Sequence, residues 1–250
     1  LLITALLLIT ALLQPMPVST VQAAPVGTTF FVTEEACSTS PGGYQWAIEQ
    51  ANNNPGRDTI SIDIPHFDVD SCFHPDNSDL PIAITESVDI VGNGNTVNGG
   101  LTWISAGGHV NPANSCPPRD AIWVNAGGAL FDVGIRGTDS SGIEVTITGL
   151  KMERLSTLGF VRKNAKLTIE DSQLTNIRSL RDGCTDSLIL ALEGADLTLK
   201  NTSVTYSGIP TEDAPSIDFP MSSALITGIN GDLVMENVTI DSSLGTKTIS

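Results

Sequence analysis

One short pattern of apolar and polar residues occurs four times in the second half of the chain. The four copies begin at Val145, Leu167, Leu197 and Leu233. In each copy the first, third and eighth residues are apolar, and the residues between them are mostly Thr, Lys, Glu, Asp and Asn. Alternation with a period of two is typical of a β-strand with one buried face. The pattern therefore predicts a strand that is repeated along the chain.

The fifth residue of each copy marks a bend between two strands. This position is occupied by Gly149, Asp171, Asn201 and Asn237, which are residue types that tolerate left-handed backbone. Asn201 and Asn237 also begin glycosylation sequons, but their shared position at the bend favours a ladder of stacked amides as the reason for both. Each unit is therefore predicted to be strand, bend, strand.

A second apolar strand precedes the last three copies at a constant offset. The residues seven before the first apolar position are Phe160, Leu190 and Ile226, and those nine before it are Leu158, Leu188 and Ala224. Upstream, "SVDIVGNGNTV" (87–97) is a looser copy in which Val88 and Ile90 fit and Asn95 breaks the eighth position. The segment "ALFDVGIRG" (129–137) is expected to supply one strand of another coil.

The spacing of the copies indicates a stacked architecture. Successive copies start 22, 30 and 36 residues apart, from 145 to 167, from 167 to 197 and from 197 to 233. A coil of about 22 residues with three short strands suits a β-solenoid, whose coils bury their inner faces on one another. The longer spacings are then the same coil with two insertions, 178–187 and 207–223, which we expect to emerge on the same side. A β-sandwich is the alternative, but it does not require copies that bend at the same offset.

The N-terminal part follows a different pattern. The segment "PGGYQWAIEQANNNPGRDTISIDI" predicts a short amphipathic helix from about Tyr44 to Asn52, a Pro-Gly turn and a strand. A solenoid needs such a cap, because its end coil otherwise exposes apolar side chains and unpaired strand edges. We therefore assign residues 24–64 to a cap, with Trp46 in its core, and residues 65–250 to parallel coils.

A short motif within the cap connects the chain to a known superfamily. The motif is Cys-Ser, Ala-Ile, Ala-Asn and Pro-Gly-x-Asp-Thr-Ile, formed by Cys37, Ser38, Ala47, Ile48, Ala51, Asn52, Pro55, Gly56, Asp58, Thr59 and Ile60. Together with "LPIAITESVDIVGNGNTVNGG" (80–100), it resembles the opening of bacterial secreted and surface proteins of the pectin-lyase-like superfamily, except that "TSPGGYQW" stands where they have Leu-Arg-Glu. The resemblance implies an all-β fold, namely a right-handed parallel β-helix with a short N-terminal capping helix. It does not specify an activity, because this architecture hosts lyases, hydrolases, adhesins and passive stalks.

The first 23 residues have the features of a secretory signal peptide. Residues 1–13 are apolar apart from two Thr, and Val21 and Ala23 are the small residues of a cleavage site after Ala23. Such a stretch is too short to span a bilayer as a helix. We therefore expect secretion or display on a bacterial cell surface. The chain starts without Met or a basic segment and stops within the pattern at "TKTIS", so both ends are expected to be truncated.

The net charge of the chain narrows the classes of partner. The formal net charge is −16, from 28 acidic and 12 basic residues. Such a surface repels nucleic-acid phosphate and anionic lipid, so neither is an expected partner. Acidity of this kind usually confers only solubility; a calcium-binding face is the alternative, and no other cofactor is expected. His66, His74 and His109 are not at metal-ligand spacing, so no metal site is predicted from them.

Catalytic groups are represented only by acids and arginines in the two insertions. Polygalacturonase-like motifs (Asn-Thr-Asp, paired Asp and Gly-His-Gly) do not occur in the sequence. A hydrolase requires two placed carboxylates, and a pectate-lyase-like site requires a calcium-binding acid cluster beside an Arg or Lys base. The candidates for binding are Asp182, Asp186, Glu212, Asp213 and Asp218, with Arg178 and Arg181 nearby. For an enzyme, the candidate catalytic residues are Asp182, Asp186, Asp213 and Arg181.

These features together favour an exported, adhesin-like protein that acts by recognition or display and not by catalysis. The repetitive face, the acidic exterior and the missing catalytic motifs support this interpretation. The expected partner is an extracellular polysaccharide or a component of a cell surface or matrix, contacted by the side that bears the two insertions. The alternative is a polysaccharide lyase or glycoside hydrolase of the same superfamily.

The four cysteines are expected to form disulfides, because exported proteins rarely keep free thiols. The sequence leaves three connectivities open. We favour Cys37 with Cys72 and Cys116 with Cys184, since each pair would tie a loop to its neighbour.

Thiol titration of the unfolded, unreduced protein tests this pairing. Almost no free sulfhydryl is expected, whereas the same protein after reduction should show four reactive thiols. Four reactive thiols before reduction would contradict the pairing.

Overall fold

The computed structural model describes residues 27–69, 82–99, 130–135, 137–153, 158–177, 187–191, 193–206, 224–228, 231–242 and 245–249. Within these ranges the chain forms three β-sheets, here called A, B and C, and one helix, α1 (Tyr44–Asn53). In spatial order, sheet A contains β1 (Thr29–Val32), β2 (Asp58–Ile62), β5 (Val88–Val91), β8 (Glu144–Thr148), β11 (Lys166–Glu170), β14 (Asp196–Lys200) and β17 (Leu233–Glu236). Sheet B contains β3 (His66–Asp68), β6 (Thr96–Asn98), β9 (Lys151–Glu153), β12 (Gln173–Ile177), β15 (Ser203–Tyr206), β18 (Val238–Ser242) and β19 (Gly245–Ile249). Sheet C contains β4 (Ala83–Ile84), β7 (Phe131–Val133), β10 (Gly159–Val161), β13 (Ser187–Ala191) and β16 (Ala224–Gly228).

The chain passes from sheet A to sheet B to sheet C, and then returns to sheet A one strand further along. Strands β8, β9 and β10 form one such coil, and β11, β12 and β13 form the next. Each strand pairs in parallel with its counterpart in the neighbouring coil. Among the described strands the exception is β19, which pairs with β18 in the antiparallel direction. The chain is therefore a parallel β-solenoid and not the β-sandwich that was the alternative.

The four repeated copies stack in the register that the sequence predicts. The first positions pair across sheet A in the order Val145, Leu167, Leu197 and Leu233, and the third positions pair as Ile147, Ile169, Leu199 and Met235. The eighth positions pair across sheet B as Met152, Leu174, Val204 and Ile240. In the first three copies these side chains are buried, whereas in the last copy they are exposed or only partly buried. The inward apolar side chains of a coil are therefore fully buried only where another coil stacks on each of its two sides.

The bends between sheets A and B have left-handed backbone, as predicted. The φ angle is 66° at Gly149, 49° at Asp171, 48° at Asn201 and 53° at Asn237. Asn237 Nδ2 donates a hydrogen bond to Asn201 Oδ1 (3.1 Å), and Asn201 Nδ2 donates one to Asp171 Oδ1 (3.0 Å). The predicted amide ladder is thus confirmed. It links the bends of three neighbouring coils.

The N-terminal helix closes one end of the solenoid. It ends one residue later than predicted, and it contacts β1, β2 and β4. Ile48 and Ala51 are buried as its apolar face, and the Trp46 ring packs edge-on against Phe30 with centroids 6.2 Å apart. Burial raises the pKa of the Tyr44 hydroxyl, which has no hydrogen-bond partner among the described residues. Strand β1 was not predicted from the sequence, and it adds an outermost strand to sheet A.

The upstream copy differs from its prediction at the bend. Val97, and not Asn95, takes the position equivalent to Met152, and Val97 is fully buried. The strand on sheet A ends at Val91, and residues 92–95 form a bend longer than the two-residue bends of later coils. The longer bend shifts the core residue from position 95 to position 97 of the sequence, but this residue still occupies the place equivalent to Met152.

The strand before the last copy is shifted by one residue. Phe160 pairs with Leu190 as predicted, but Ile226 pairs with Ile189. The constant offset fails here because the turn from sheet C to sheet A is one residue shorter in the last coil. Ser187, which the sequence analysis placed in an insertion, is the first residue of β13.

Leu199→Asp tests the register, with Lys200→Asp as its matched control. Leu199 is 1% exposed, and it lies between Ile169 and Met235. Truncating a buried Leu costs about 2–5 kcal/mol, and an unpaired buried carboxylate adds to that cost. Lys200 is exposed, so its replacement should cost less than about 1 kcal/mol for each like-charge neighbour it acquires. Urea unfolding measures both effects. Equal losses at the two positions would contradict the register.

Candidate functional site

The acids and arginines predicted from the sequence lie outside the described residues. They are Arg178, Arg181, Asp182, Asp186, Glu212, Asp213 and Asp218. Cys72, Cys116 and Cys184 also lie outside the described residues. Cys37 is 4% exposed and its sulfur is bonded, but the connectivity of the four cysteines stays a prediction.

The described strands on either side of the two insertions show where the insertions leave and rejoin the solenoid. Residues 178–186 connect β12 of sheet B to β13 of sheet C, and residues 207–223 connect β15 to β16 of the same two sheets. Residues 69–82 and 99–130 also connect a sheet B strand to a sheet C strand. We call the edge between these sheets the B–C corner. These four connections begin and end there, whereas the bends at the A–B corner are short; residues 134–143 form a ten-residue connection from sheet C to sheet A.

A buried ion pair lies on the outer face of sheet C, and its Arg162 directly follows β10, where the chain leaves sheet C for sheet A. Asp132 alternates along β7 with the core residues Phe131 and Val133, so its side chain is on the outer face. The Asp132 side chain is nevertheless 0% exposed, and that of Arg162 is 13% exposed. Arg162 Nε lies 2.5 Å from Asp132 Oδ1, and Arg162 Nη2 lies 2.7 Å from Asp132 Oδ2. The outer face of sheet C is therefore shielded from water at this point.

An aromatic ring completes the surroundings of the Arg162 guanidinium. Its Cζ lies 5.1 Å from the centroid of the Phe160 ring, which is the distance of a cation–π contact. Phe160 pairs with Asp132 across neighbouring strands. The bidentate hydrogen bonds and the ring together hold the guanidinium in one orientation. Both strands were predicted from the sequence, but this cluster was not, because Asp132 and Arg162 lie in different coils.

Ion pairs on the outer face of sheet A differ in being exposed. Arg57 donates hydrogen bonds to both carboxylate oxygens of Asp89 and to Thr146 Oγ1, and it lies 3.5 Å from Glu144. The hydrogen bonds from Arg57 to Asp89 raise the pKa of the guanidinium. Arg57 and Asp89 side chains are 39% and 40% exposed. These contacts connect three coils but are open to water, which weakens them.

The outer face of sheet B carries the one described histidine. His66 Nε2 lies 3.0 Å from Asp68 Oδ1, and Asn98 Nδ2 donates to the same oxygen at 2.8 Å. Among the described residues, no group of three His, Cys, Asp or Glu side chains is arranged to hold a metal ion. In the described part of the chain, no helix is long and apolar enough to cross a membrane.

A turn between sheets C and A fixes one exposed carboxylate. Asp139 Oδ1 accepts hydrogen bonds from Asn164 Nδ2 (3.0 Å) and from the backbone N–H of Ser141 (2.9 Å). These bonds, the first in particular, lower the pKa of Asp139. Asn164 has a left-handed φ of 61°, so the turn repeats the combination of bend and amide bond found at the A–B corner.

Asp132→Ala and Asp89→Ala compare the buried and the exposed ion pair. Asp132→Ala leaves a buried guanidinium unpaired, which costs about 3–5 kcal/mol, whereas loss of the exposed pair costs at most about 1 kcal/mol. Urea unfolding measures both variants. Replacing both buried partners, as Asp132→Leu with Arg162→Met, should recover most of the loss. If Asp132→Ala costs no more than Asp89→Ala, the pair is not desolvated.

No family model matches this sequence, and comparisons with curated proteins and with solved structures find no match. The relation to pectin-lyase-like proteins therefore remains a resemblance carried by the cap motif.

Proposed function

We propose that this chain is an exported, adhesin-like recognition protein that binds an extended extracellular ligand at the B–C corner and does not cleave it. The observation that carries the proposal is the position of the described strand ends. Each acidic insertion connects a sheet B strand to the next sheet C strand, so both leave and rejoin the solenoid at that corner. Loops held by a rigid scaffold supply the concave and varied surface that selective binding needs.

The flat faces of the solenoid are less suited to selective binding. Across sheet A, the rank formed by Thr59, Asp89, Thr146, Thr168 and Thr198 repeats one side-chain type with little variation. Among the charged side chains on this face, Arg57 and Asp89 already bind one another. We therefore assign selective binding to the insertions, whose lengths and sequences differ from coil to coil.

The acids of the insertions define the ligand class. Asp182 and Asp186 lie in one insertion, and Glu212, Asp213 and Asp218 lie in the other. They repel an anionic polymer and favour a neutral or cationic glycan, with calcium as a bridging ion in the proposal. A polysaccharide on a cell surface or in a matrix has this chemistry and the required length.

The proposal also includes the handedness of the solenoid, its superfamily and its export. Crossovers between parallel strands of one sheet are right-handed in about 98% of cases, which supports a right-handed β-helix. The cap motif supports a pectin-lyase-like origin, and the apolar start with small residues at 21 and 23 supports export by cleavage after Ala23. Secretion or display at a bacterial surface follows from these two features.

The second candidate function is a polysaccharide lyase or glycoside hydrolase that uses the same corner. The observation that favours it is that both insertions leave sheet B and rejoin sheet C in neighbouring coils, which would allow Asp182, Asp186, Asp213 and Arg181 to approach one another. Two carboxylates at a suitable separation are the minimum for glycoside hydrolysis.

Shortening both insertions tests the recognition site on a glycan array. The shortened protein should keep its β-rich circular dichroism spectrum and lose binding by at least about tenfold, which is about 1.4 kcal/mol. Asp182→Asn with Asp213→Asn should weaken binding of a cationic glycan. Glu34→Gln with Glu35→Gln, which removes two exposed charges from the cap, is the matched control and should not.

Product analysis separates binding from catalysis. Release of unsaturated or reducing sugar from a bound polysaccharide, lost on mutation of Asp182 or Asp213, would establish the enzyme alternative. Unchanged binding after both insertions are shortened would move the site away from the B–C corner.

A further inference from the structure

The bend that follows β5 contains an Asn-Gly dipeptide, Asn93-Gly94, and both residues are exposed. Their backbone is left-handed, with φ angles of 54° at Asn93 and 76° at Gly94. In an Asn-Gly dipeptide the glycine nitrogen attacks the side-chain amide carbon of the asparagine readily, because glycine has no Cβ to hinder the approach. This dipeptide therefore has the chemistry of a deamidation site.

The Asn93 side chain is held by the coil that contains β2. Its Nδ2 atom donates hydrogen bonds to Ser61 Oγ (3.1 Å) and to the backbone oxygen of Ile62 (3.2 Å). The same nitrogen lies 3.4 Å from Asp63 Oδ1. The amide group that must be attacked is therefore fixed toward the preceding coil.

The Gly94 nitrogen is held by the coil on the opposite side. Its N–H donates a hydrogen bond to the backbone oxygen of Gly149 (2.7 Å), which follows β8. In sheet A, β5 lies between β2 and β8. The attacking nitrogen and the amide that it must attack are therefore bonded to different neighbouring coils, and the nitrogen must lose its hydrogen bond before it reacts.

A second Asn-Gly dipeptide, Asn98-Gly99, has the same arrangement. Asn98 Nδ2 donates to Asp68 Oδ1 (2.8 Å), and the Gly99 N–H donates to the backbone oxygen of Glu153 (2.8 Å). In sheet B, β6 lies between the strands that contain these two acceptors. Gly99 is buried, however, whereas both residues of the first dipeptide are exposed. The exposed bend is therefore the site at which opening leads to reaction most directly.

We propose that Asn93 is a deamidation site that coil stacking holds closed, and that it opens when the coil of β5 separates from its neighbours. On opening, the Gly94 nitrogen loses its proton to the solvent and bonds to Asn93 Cγ. The bond from Cγ to Nδ2 breaks, and Nδ2 takes up a proton and leaves as ammonia. Water then opens the cyclic imide at either carbonyl carbon, which gives aspartate or isoaspartate without any oxidant or reductant.

Both products weaken the stacking that formed before the reaction. An aspartate at this position has no side-chain N–H to donate to Ser61 or Ile62, and it adds a carboxylate beside Asp63. An isoaspartate also adds a methylene carbon to the backbone of the bend, which has to bring Val97 to its buried position. Deamidation therefore makes the separation of these coils irreversible. The site is distinct from the B–C corner.

Peptide mapping of the folded and the urea-unfolded protein tests the site. Both samples are incubated without reduction in mildly alkaline buffer, and isoaspartate at Asn93 and Asn98 is measured by mass spectrometry. Because reaction requires local opening of the stacked coils, deamidation of Asn93 should be at least about tenfold slower in the folded protein. Equal rates at Asn93 in the two states would overturn the proposal.

Ser61→Ala with Asp63→Ala tests the hold on the Asn93 side chain in the folded protein. Neither side chain is part of the core, so the double variant should keep its circular dichroism spectrum. Deamidation of Asn93 should become at least about threefold faster, which is the effect of losing one hydrogen bond. The rate at Asn98, in the same coil, should stay unchanged, which distinguishes release of the Asn93 side chain from general loosening.

Lys163→Ala with Glu193→Ala is the matched control. It removes an exposed ion pair between two later coils, with the nitrogen and oxygen 3.3 Å apart, and it should leave both deamidation rates unchanged. A faster reaction at Asn93 alone, seen only in the variant of Ser61 and Asp63, supports the proposal. No acceleration at Asn93 in that variant, or equal acceleration at Asn93 and Asn98, would overturn it.

Discussion

Stacking of one coil on the next is the interaction on which the rest of this structure depends. The strands are three to five residues long in most coils, and strands of that length are not stable alone. Their inward side chains, such as Ile147, Ile169 and Leu199, are buried because each lies between two others. A coil with a neighbour on one side only has half of this cover. Leu233 shows the consequence at one end, and helix α1 removes it at the other.

The corners of the solenoid differ in how much their connections vary in length. At the A–B corner, left-handed residues and the amide bonds of Asn201 and Asn237 keep successive strands in phase. A change in the length of that bend must be absorbed locally, as in residues 92–95, so that Val97 still reaches the core. At the B–C corner the connections differ in length without disturbing the registers of sheets A and B. The longest insertions therefore lie at this corner, although the connection 134–143 from sheet C to sheet A is also long.

The contribution of an Arg–Asp ion pair to stability depends on how deeply the pair is buried, and this structure contains one exposed and one buried example. Arg57 and Asp89 form an ion pair that water screens, and its contribution to stability is small. Arg162 and Asp132 form a similar pair on sheet C, but Asp132 is fully buried and the guanidinium also faces the Phe160 ring. Removing one partner there leaves a desolvated charge. The stability of sheet C at this point therefore depends on both partners being present.

The amino-acid sequence alone determined the helix at Tyr44, the ranks through Leu167 and Ile169, and the bends at Asp171 and Asn201. These are local features, because alternation and left-handed backbone are determined by residues that are close together in the sequence. The pairing of Ile226 with Ile189, the place of Val97 and the burial of Asp132 against Arg162 were decided by the tertiary structure. Each of these three features depends on a partner residue in another coil. The number of residues in the turn or insertion between the two coils determines which residue becomes that partner. The candidate ligand acids could be listed from the sequence, but only the ends of β12 and β15 show that their insertions share a corner.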